Sequence, residues 1–431
     1  MLYDNLAVNE QGHLTVGGLD TVALAEEFGA PLYVLDEDKL RENCRTYVQA
    51  LRENMPEGSY PLFAGKALCF KGLYPVLNEE GMGADVVSPG EIYTALAGGF
   101  PAEKLYFHGN NKTDEDIAYA LDSHVGCFIV DNHQELARLD EAAGVRGIRQ
   151  RVLLRVTPGI DPHTLQAINT GRIDCQFGVP IETGQAARFV ADALSRKNLI
   201  VEGFHSHIGS QIFEAEPFCD AVDILLDFAQ AMRQAHGFVA ETLNLGGGFG
   251  VRYLESDPVV DIPGNIRALA EHLQQGCVEK DYPVPKVLLE PGRSIVANAG
   301  LTLYRVGGIK TIEGYRSYVT VNGGMTDNPR YALYKAPYTV VPASRMNDAR
   351  EFTCTVAGRC CESGDLIQEN IQLPEMQRDD LLAVLTTGAY NFTMASNYNR
   401  LCRPALVMVR NGKARLAVRR QTFADLVACD L

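Results

Sequence analysis

The feature that most constrains the fold of this chain is a regular alternation of short apolar runs and longer amphipathic stretches between about residues 60 and 290. Short β-branched runs are typical of buried parallel strands, and the lengths between them suit helices. Eight runs fit this description: 61–64, 83–87, 105–108, 127–130, 151–156, 200–207, 242–245 and 286–290. Eight strand–helix units in succession predict a (β/α)8 barrel, in which ligands bind at the C-terminal strand ends.

Two of the intervening stretches carry clear helix signals. Ser88 and Pro89 suit the N-cap and first turn of a helix that runs to about residue 98. In the stretch 217–236, apolar residues recur at helical spacing. A doubly wound sheet is the alternative architecture, but the strand count and the spread of polar groups over many strand ends favour the barrel.

The pattern of predicted elements changes after about residue 298. The strand-like runs 318–321, 352–357 and 381–385 have little helix between them, and Asn411-Gly412-Lys413 separates two further runs, 405–410 and 414–419, as in a hairpin. These runs predict a second, all-β domain, which the N-terminal segment joins through Leu32–Val34. The predicted domains are a barrel of residues 36–298 and a β domain of residues 1–35 plus 299–431.

Composition excludes several partners and compartments. A net charge of −15 argues against nucleic acid or an anionic membrane as the main partner, because both require a basic face. Eleven scattered cysteines form no disulfide framework, which favours a reduced, cytoplasmic compartment. We also expect no signal peptide and no membrane span, since no apolar run approaches the required length of about 20 residues.

Charged residues follow two of the predicted strands. The run 286–289 ends in Glu290, a Pro-Gly turn and Arg293. The carboxylate suits a pyridinium nitrogen and the arginine suits a carboxylate or phosphate, although a salt bridge at the strand end is the simpler alternative. Lys66 lies just past the first strand. Partial burial there would make its amine nucleophilic towards an aldehyde cofactor, to form an imine; the alternative is an ion-paired lysine at the surface.

A glycine run and a histidine motif follow two other strands. Gly246-Gly247-Gly248 lets backbone N–H groups approach a phosphate closely, and it matches neither the dinucleotide motif nor the P-loop. A tight turn is the alternative. Within 205–210, an imidazole could stack on an aromatic cofactor and a serine could bind phosphate. His205 and His207 would share one strand face, but further ligands are not obvious, so no metal is predicted.

The predicted β domain carries three further candidate groups. Cys361 and Glu362 offer a thiol as a proton donor and a carboxylate for a substrate ammonium, with a buried structural thiol as the alternative. Arg330, followed by Tyr334, suits a bidentate contact with a carboxylate, unless it is a surface arginine. Tyr390 lies at a turn, where it could contact phosphate or pack in the core.

Together these motifs resemble the fold-type III pyridoxal-phosphate decarboxylases, most closely those that act on meso-2,6-diaminopimelate. The match spans nearly the whole chain, in order, at 63–67, 83–90, 207–210, 246–250, 290–293, 330–334, 361–365 and 388–390. The resemblance implies pyridoxal 5′-phosphate as the cofactor and a homodimer with active sites shared across the interface. It also implies the reaction, which forms L-lysine and CO2 as the last step of lysine biosynthesis.

The resemblance further implies a role for each matching residue. Lys66 resembles the lysine that binds the cofactor aldehyde, Glu290 the partner of the pyridine nitrogen, and His207 the residue stacked on the ring. Cys361 resembles the proton donor supplied across the dimer interface. The other cofactor contacts implied are Asp85, Ser210, Gly246, Gly247, Gly248, Gly292, Arg293 and Tyr390, and the substrate contacts are Arg293, Arg330, Tyr334, Glu362 and Tyr390.

Two departures from the family pattern, and several alternative assignments, bear on the identity of the substrate. Tyr331 stands where the family has proline, and Cys360 duplicates the neighbouring thiol. Decarboxylases of carboxynorspermidine, ornithine or arginine are rivals, but the pair Arg293 and Arg330 favours a distal carboxylate. Racemases that share the barrel place an arginine, not a glutamate, at the pyridine nitrogen. Cofactor-free regulators related to ornithine decarboxylase are expected to lack Lys66 or the phosphate ligands.

Overall fold

The structure, a computed structural model, describes residues 2–160 and 174–431. It divides into two compact units. The barrel unit comprises residues 44–250 and 259–292, and the β unit comprises residues 1–43, 251–258 and 293–431. The domain boundaries drawn from the sequence, at residues 36 and 298, stay a prediction.

Strands and helices alternate in the barrel unit, and strands predominate after residue 300. The strands are β1 Leu6–Val8, β2 Leu14–Val16, β3 Leu19–Asp20, β4 Leu32–Asp36, β5 Tyr60–Ala64, β6 Gly83–Val86, β7 Leu105–Phe107, β8 Cys127–Val130, β9 Gln150–Thr157, β10 Val179–Pro180, β11 Leu199–His205, β12 Thr242–Asn244, β13 Lys286–Leu289, β14 Gly300–Ile312, β15 Arg316–Val321, β16 Val340–Val341, β17 Phe352–Ala357, β18 Leu366–Leu373, β19 Leu381–Leu385, β20 Ala405–Arg410 and β21 Lys413–Val418.

The α-helices are α1 Thr21–Phe28, α2 Glu37–Asn54, α3 Tyr74–Glu79, α4 Pro89–Ala97, α5 Asp114–Asp122, α6 His133–Val145, α7 Gln185–Ser195, α8 Glu216–His236, α9 Ile262–Glu279, α10 Arg293–Val296, α11 Arg330–Tyr334 and α12 Phe423–Leu426. The 3-10 helices are Gly65–Ala67, Lys71–Leu73, Ala102–Lys104 and Tyr398–Arg400. Within the described residues, none of these helices combines the length and the apolar character that a membrane crossing requires.

The predicted barrel is confirmed. Its strands are hydrogen-bonded in the order β5-β6-β7-β8-β9-β11-β12-β13, all neighbours are parallel, and β13 pairs with β5 to close the cylinder. The doubly wound alternative is therefore wrong. Alternate side chains of these strands fill the interior: Leu62, Tyr106, Cys127, Ile129, Leu153 and Leu288.

The helix signals in the sequence are confirmed at both places. The Ser88 side chain accepts a hydrogen bond from the backbone N–H of Glu91, as an N-cap does, and Pro89 lies in the first turn of α4. The apolar residues of α8 are buried, and Gly237 ends that helix with a left-handed backbone, φ 67°.

The β unit contains the predicted all-β sheet, with strands in the order β18-β17-β15-β14-β4-β20-β21 and β19 also paired with β14. The N-terminal β4 joins it as predicted, between β14 and β20. Asn411 and Gly412, at φ 50° and 68°, form a two-residue hairpin turn with Arg410 paired to Lys413. Three strands of this sheet were not predicted: β14, β18 and the two-residue β16, which pairs with β19. Gly307 and Gly308 interrupt the apolar pattern of β14, and β18 is mostly half-exposed.

Candidate active site

Polar side chains collect at one end of the barrel. Lys66 follows the end of β5 on a 3-10 turn, and His108 directly follows β7. His205 and Asn244 are the last residues of β11 and β12, and Glu290 directly follows β13. Because the strands are parallel, these side chains all lie at the C-terminal end, where barrel enzymes place their chemistry.

Glu290 is the centre of this group. Its Oε1 lies 2.9 Å from Nε2 of His108 and accepts a hydrogen bond of 2.6 Å from Nδ2 of Asn244. Its Oε2 lies 3.1 Å from Nε2 of His205. Burial opposes the charge of this carboxylate, but the two histidines outweigh burial and hold the pKa of Glu290 well below its ordinary value. Glu290 is therefore a buried carboxylate that stays ionised.

The two histidines on the sixth barrel strand and the loop after it occupy different environments. β11 ends at His205, so His207 lies beyond the strand, and the interpretation that both share one strand face is wrong. Burial lowers the pKa of His205 to about 4, so its ring is neutral and donates Nε2–H to Glu290. Burial, followed by the charge of Lys66, lowers the pKa of His207 well below its usual value. Both rings are thus uncharged at neutral pH.

The donor atoms of His108, His205 and Glu290 also lie within 4.8 Å of one another, a spacing that could hold a metal ion. Each histidine Nε2 is already within hydrogen-bond distance of the carboxylate. The ionised carboxylate therefore accounts for this spacing among the described residues without an ion.

Lys66 stands beside these groups but is exposed, so the expected partial burial is wrong. The reason is its position on a turn past the last residue of β5, beyond the packed strands. Burial raises the pKa of Asp85, and the charges of His108 and Lys66 oppose that rise. Oδ1 of Asp85 is buried and has no hydrogen-bond partner within the described part of the chain. Lys66 therefore adds an exposed amine to a site whose other groups are mostly buried.

The glycine run forms a tight cradle after β12. A Cβ atom on Gly246, which has φ 69°, would lie 2.7 Å from the carbonyl oxygen of Ser206. One on Gly247 would overlap the carbonyl oxygen of Glu290, and one on Gly248, with φ 123°, would lie 2.5 Å from the carbonyl oxygen of Gly209. Only glycine fits at these positions, because a side chain would collide with the neighbouring main chain.

The loop that carries the half-buried Ser210 lies against this cradle. The backbone N–H of Ile212 donates to the carbonyl oxygen of Gly248 at 2.9 Å, and Ile212 and Phe249 form a parallel bridge. On the neighbouring side, a Cβ on Gly292 would lie 2.9 Å from Cβ of Ala64, at the end of the strand that precedes Lys66. The structure thus brings the predicted lysine, histidine, serine, glycine and glutamate motifs of the barrel unit together.

This set of groups fits the cofactor expected from the sequence. The glycine cradle offers close backbone approach to a phosphate, and an ionised carboxylate suits a protonated pyridine nitrogen. The lysine amine suits an aldehyde, and Oδ1 of Asp85 leaves a buried acceptor for a further donor.

The β unit contains a second cluster, which we call the arginine–tyrosine cluster: Tyr253, Arg293, Arg330, Tyr338 and Tyr390. Nη1 of Arg293 donates to the hydroxyl of Tyr253 at 2.7 Å, and its guanidinium carbon lies 4.8 Å from the ring centre of Tyr390. Nη1 of Arg330 donates to the hydroxyl of Tyr338 at 2.9 Å, and its guanidinium carbon lies 4.7 Å from the Tyr253 ring. The two guanidinium groups thus pack against the tyrosine rings of one cluster.

Arg330, one of the two cations of this cluster, has no acidic partner among the described residues. Arg330 is 7% exposed, and no carboxylate of the described residues lies within 4.0 Å of it. Burial raises the pKa of Tyr253, but the two guanidiniums outweigh burial and lower it below its ordinary value. A buried cation without an acidic partner is costly, so the cluster suits an anionic group.

Tyr331 and Tyr334 take different positions on α11. The Tyr331 hydroxyl donates to Oε2 of Glu369 at 2.6 Å, and Oε1 of Glu369 accepts from Arg316 at 2.9 Å. Tyr331 is therefore held by Glu369. Tyr334 is 43% exposed at the end of the helix, so the structure does not bury it in the arginine–tyrosine cluster.

The two adjacent cysteines, Cys360 and Cys361, differ in environment. Cys361 is exposed, and its backbone N–H donates to Oδ1 of Asn399 at 2.8 Å. Cys360 is half-buried, and burial together with Asp365 raises the pKa of its thiol to about 11. Asp365 accepts from the backbone N–H groups of Cys360 and Met325, at 2.7 and 2.6 Å, and so fixes this loop. Glu362 beside them is exposed.

Sequence reasoning missed four residues of these clusters. His108 and Asn244 stand at strand ends, so the rule that selected Glu290 would also have selected them. Tyr253 and Tyr338 carry no local signal, because an aromatic residue outside a motif is indistinguishable from one that packs in a core.

Comparison with known proteins places the chain in a family. Residues 37–297 match the family described as pyridoxal-dependent decarboxylase, pyridoxal binding domain. Diaminopimelate decarboxylase of Bacillus subtilis (strain 168) is 43% identical over 423 residues, which cover 98% of this chain and 96% of the relative. The enzyme of the same name from Halalkalibacterium halodurans is 42% identical over 424 residues, which cover 98% of this chain and 96% of that relative.

Solved structures agree with the sequence comparison. The crystal structure of diaminopimelate decarboxylase from M. jannaschii in co-complex with L-lysine superposes with a TM-score of 0.91 at 33% identity. The alignment covers 99% of this chain and 98% of the M. jannaschii chain. The likeness therefore extends over both units of the chain.

Proposed function

The chain belongs to the pyridoxal-dependent decarboxylases and, within them, to the diaminopimelate decarboxylase family, and on that premise we propose that it converts meso-2,6-diaminopimelate to L-lysine and CO2. This would be the last step of lysine biosynthesis. The observation that carries the proposal is the buried, ionised Glu290 at the C-terminal end of the barrel, held by His108, His205 and Asn244.

The chemistry that this site would perform follows from its charges. Pyridoxal phosphate, when bound, supplies the electron-withdrawing ring that accepts the electron pair left on the α-carbon. Glu290 would hold a proton at the pyridine nitrogen, Lys66 would bind the aldehyde, and neutral His207 would stack on the ring. The remaining residues proposed to hold the cofactor are Asp85, Ser210, Gly246, Gly247, Gly248, Gly292, Arg293 and Tyr390.

We propose that the arginine–tyrosine cluster recognises the distal carboxylate of the substrate. A carboxylate would balance the buried charge of Arg330, and Arg293 would add a second guanidinium. Tyr334 and Tyr390 would line the same group, and Glu362 would bind the distal ammonium. A substrate with a basic distal end, such as ornithine or arginine, would leave the charge of Arg330 unbalanced.

Two further features bear on the setting of the reaction. Cys361 is exposed, which supports a homodimer in which this thiol protonates the α-carbon in the site of the partner subunit. All eleven cysteines are free thiols, which supports a reduced compartment, and we propose the cytoplasm. The net charge of −15 supports a small-molecule substrate and no nucleic-acid partner.

The direct test is CO2 release by the protein loaded with pyridoxal phosphate, with meso-diaminopimelate, carboxynorspermidine, L-ornithine and L-arginine compared at equal concentration. We expect a clear preference for meso-diaminopimelate. Preference for one of the other three would retain the reaction but overturn the proposed substrate. Absence of CO2 with all four substrates would overturn the decarboxylase itself and favour a non-catalytic relative.

We expect Arg330→Ala to lower kcat/KM for meso-diaminopimelate, because it removes a charge-assisted contact worth about 1.5–3 kcal/mol, or roughly ten- to a hundred-fold. The loss should fall mainly on KM. Arg345→Ala, which removes an arginine paired with Asp348 in the same unit, is the matched control. An unchanged KM for meso-diaminopimelate would remove Arg330 from the site.

We expect Cys361→Ala to lower kcat by about a hundred-fold, the lower range for the loss of a general acid. Cys360→Ala is the matched control and should have a small effect, because the raised pKa of its half-buried thiol makes it a weak proton donor. The measurement is kcat together with its solvent isotope effect in D2O. Equal losses in the two variants would show that Cys361 is not the donor.

A further inference from the structure

Tyr253 carries no role of its own in the assignment so far, yet it contacts both guanidinium groups of the arginine–tyrosine cluster. Its hydroxyl accepts a hydrogen bond of 2.7 Å from Nη1 of Arg293, whose guanidinium carbon lies 5.9 Å from the centre of the Tyr253 ring. The guanidinium carbon of Arg330 lies over the same ring, 4.7 Å from its centre. One side chain therefore contacts two cations, the first through its oxygen and the second through its ring.

The two cations lie in a region that excludes most of the solvent. Arg293 is 8% exposed, Arg330 is 7% exposed and Tyr253 is 5% exposed. Like charges repel more strongly where water screens them less, so neighbouring groups must fix the positions of two such side chains. Burial raises the pKa of Tyr253, but the two guanidiniums together outweigh burial and lower it. Both charges therefore act on the hydroxyl of this one tyrosine.

Tyr253 is itself held by contacts that involve neither arginine. Its backbone N–H donates to Oδ2 of Asp257 at 2.8 Å, and its carbonyl oxygen accepts a hydrogen bond of 2.7 Å from Oγ1 of Thr339. Its ring meets that of Tyr338 edge to face, with 5.4 Å between the ring centres. The position of Tyr253 is thus set by the β unit before any substrate binds.

Tyr253 and Tyr338 together hold Arg330. Nη1 of Arg330 donates to the hydroxyl of Tyr338 at 2.9 Å, and its guanidinium carbon lies 5.4 Å from the Tyr338 ring centre. An arginine that is already held in one orientation loses less conformational entropy when a carboxylate binds to it, so the affinity for the carboxylate is higher. Removal of Tyr253 should therefore weaken the binding of a carboxylate although no positive charge is lost.

We propose that Tyr253 is a positioning residue that determines specificity for the distal carboxylate of the substrate. It holds Arg293 through its hydroxyl and supports Arg330 with its ring, so that both guanidiniums have fixed positions when the substrate arrives. In this role Tyr253 acts through the two arginines and not on the reacting bond. The inference rests on the proposed function, since it concerns a substrate with a carboxylate at its distal end.

The test compares ligands that keep or lack this carboxylate. Decarboxylation removes one carboxylate of meso-diaminopimelate, so the product L-lysine keeps the distal one, whereas cadaverine has two amines and no carboxylate. The quantities measured are kcat and KM for meso-diaminopimelate and the competitive inhibition constants of L-lysine and cadaverine, with wild-type and variant proteins loaded with pyridoxal phosphate. General damage to the site would weaken both inhibitors, whereas displaced arginines would weaken L-lysine alone.

Two variants of Tyr253 separate its hydroxyl from its ring. Tyr253→Phe removes the acceptor of Arg293, so KM and the inhibition constant of L-lysine should rise about three- to ten-fold, the range for one hydrogen bond. Tyr253→Leu also removes the ring beneath Arg330, and the rise should reach about ten- to a hundred-fold. In both variants kcat and the inhibition constant of cadaverine should change less than about two-fold, because only the binding of the distal end is altered.

Tyr282→Phe is the matched control. The buried Tyr282 hydroxyl also accepts an N–H hydrogen bond, from the backbone of Ala240 at 2.7 Å, and the guanidinium carbon of Arg233 lies 5.9 Å from its ring centre. This variant should keep all four constants near the wild-type values. A second comparison places Tyr253→Leu in the Arg330→Ala protein, where it should raise KM less than in the wild type, because part of its effect passes through Arg330.

Each outcome decides one question. Weaker binding of meso-diaminopimelate and L-lysine, with unchanged binding of cadaverine, supports the inference. Equal losses for L-lysine and cadaverine would show a general disturbance and overturn it, and so would an unchanged KM in Tyr253→Leu or fully additive effects with Arg330→Ala. Failure of the wild-type protein to release CO2 from meso-diaminopimelate would overturn the proposed function instead.

Discussion

Replacement of Lys66 by alanine should abolish decarboxylation, with a loss in kcat/KM of about 10³-fold or more, as for other residues whose removal eliminates a covalent nucleophile. The amine of Lys66 is the proposed attachment point of the cofactor aldehyde, and no other side-chain amine is assigned that role. The variant should also lose the visible absorbance that the wild-type protein acquires when it is dialysed against pyridoxal phosphate.

The side chain of Lys66 is exposed, so its loss should leave the fold intact. We therefore expect the cofactor-free variant to melt at the wild-type temperature. Lys71→Ala, which removes another exposed lysine on the next 3-10 helix, is the matched control and should keep both activity and absorbance. A Lys66→Ala protein that retains even a tenth of the wild-type rate would contradict the role of this amine.

Glu290→Gln should lower kcat by about 10²–10³-fold, the usual cost of removing one preorganised electrostatic contact from a catalytic site. Glutamine keeps the shape and can still meet Asn244 through its carbonyl oxygen, but it carries no charge to hold a proton at the pyridine nitrogen. Its amide N–H₂ would then take the place of Oε2 and face the Nε2–H of His205, which would lose its acceptor.

The contribution of the Glu290 carboxylate to the stability of the folded protein changes with pH in a definite direction. The two histidines hold its pKa well below its ordinary value of 4.5, so in the folded protein Glu290 stays ionised as the pH falls through 4.5. Its ionisation favours the folded state above the ordinary pKa, and this contribution is lost only as the pH falls towards the lowered value. Loss of wild-type activity above pH 4.5 should therefore come from other groups.

The measurement for Glu290 is kcat for CO2 release, together with the visible spectrum of the loaded protein. Glu241→Gln, which changes an exposed carboxylate before β12 at the other end of the barrel, is the control. A Glu290→Gln variant with near wild-type kcat would mean that the pyridine nitrogen does not depend on this carboxylate, and the proposed chemistry would then have to be revised.

The departure at Tyr331 has a structural explanation. Tyr331 stands where the family has proline, next to Arg330, so its position bears on the distal pocket. In the structure the Tyr331 hydroxyl is bound by Glu369, which Arg316 also holds, while Arg330 next to it makes its contacts with Tyr253 and Tyr338. The polar group of Tyr331 is thus satisfied without Arg330, and this supports the proposed preference for a distal carboxylate.

Local signals in the sequence were enough to find most elements and motifs. Apolar runs, Ser88 before Pro89, and Asn411 before Gly412 each act within a few residues, because burial period, helix capping and turn conformation are local properties of the backbone. For the same reason, polar residues at strand ends identified Lys66 and Glu290 as site candidates. The strands β14 and β18 were not predicted, because glycines in β14 and half-exposed positions in β18 obscure the alternation of buried and exposed residues.

By itself, then, the sequence determined the barrel, the β sheet and the identity of the motifs, since these depend on periodicity and on chemistry carried by consecutive residues. Only the tertiary structure decided which donors surround Glu290, because His205 and Asn244 lie 85 and 46 residues away and meet it only when the barrel closes. It likewise decided that Tyr253 joins Arg293 and Arg330, and that Cys361 is exposed while Cys360 is half-buried. Charge and burial at a site depend on neighbours in space, which no local pattern encodes.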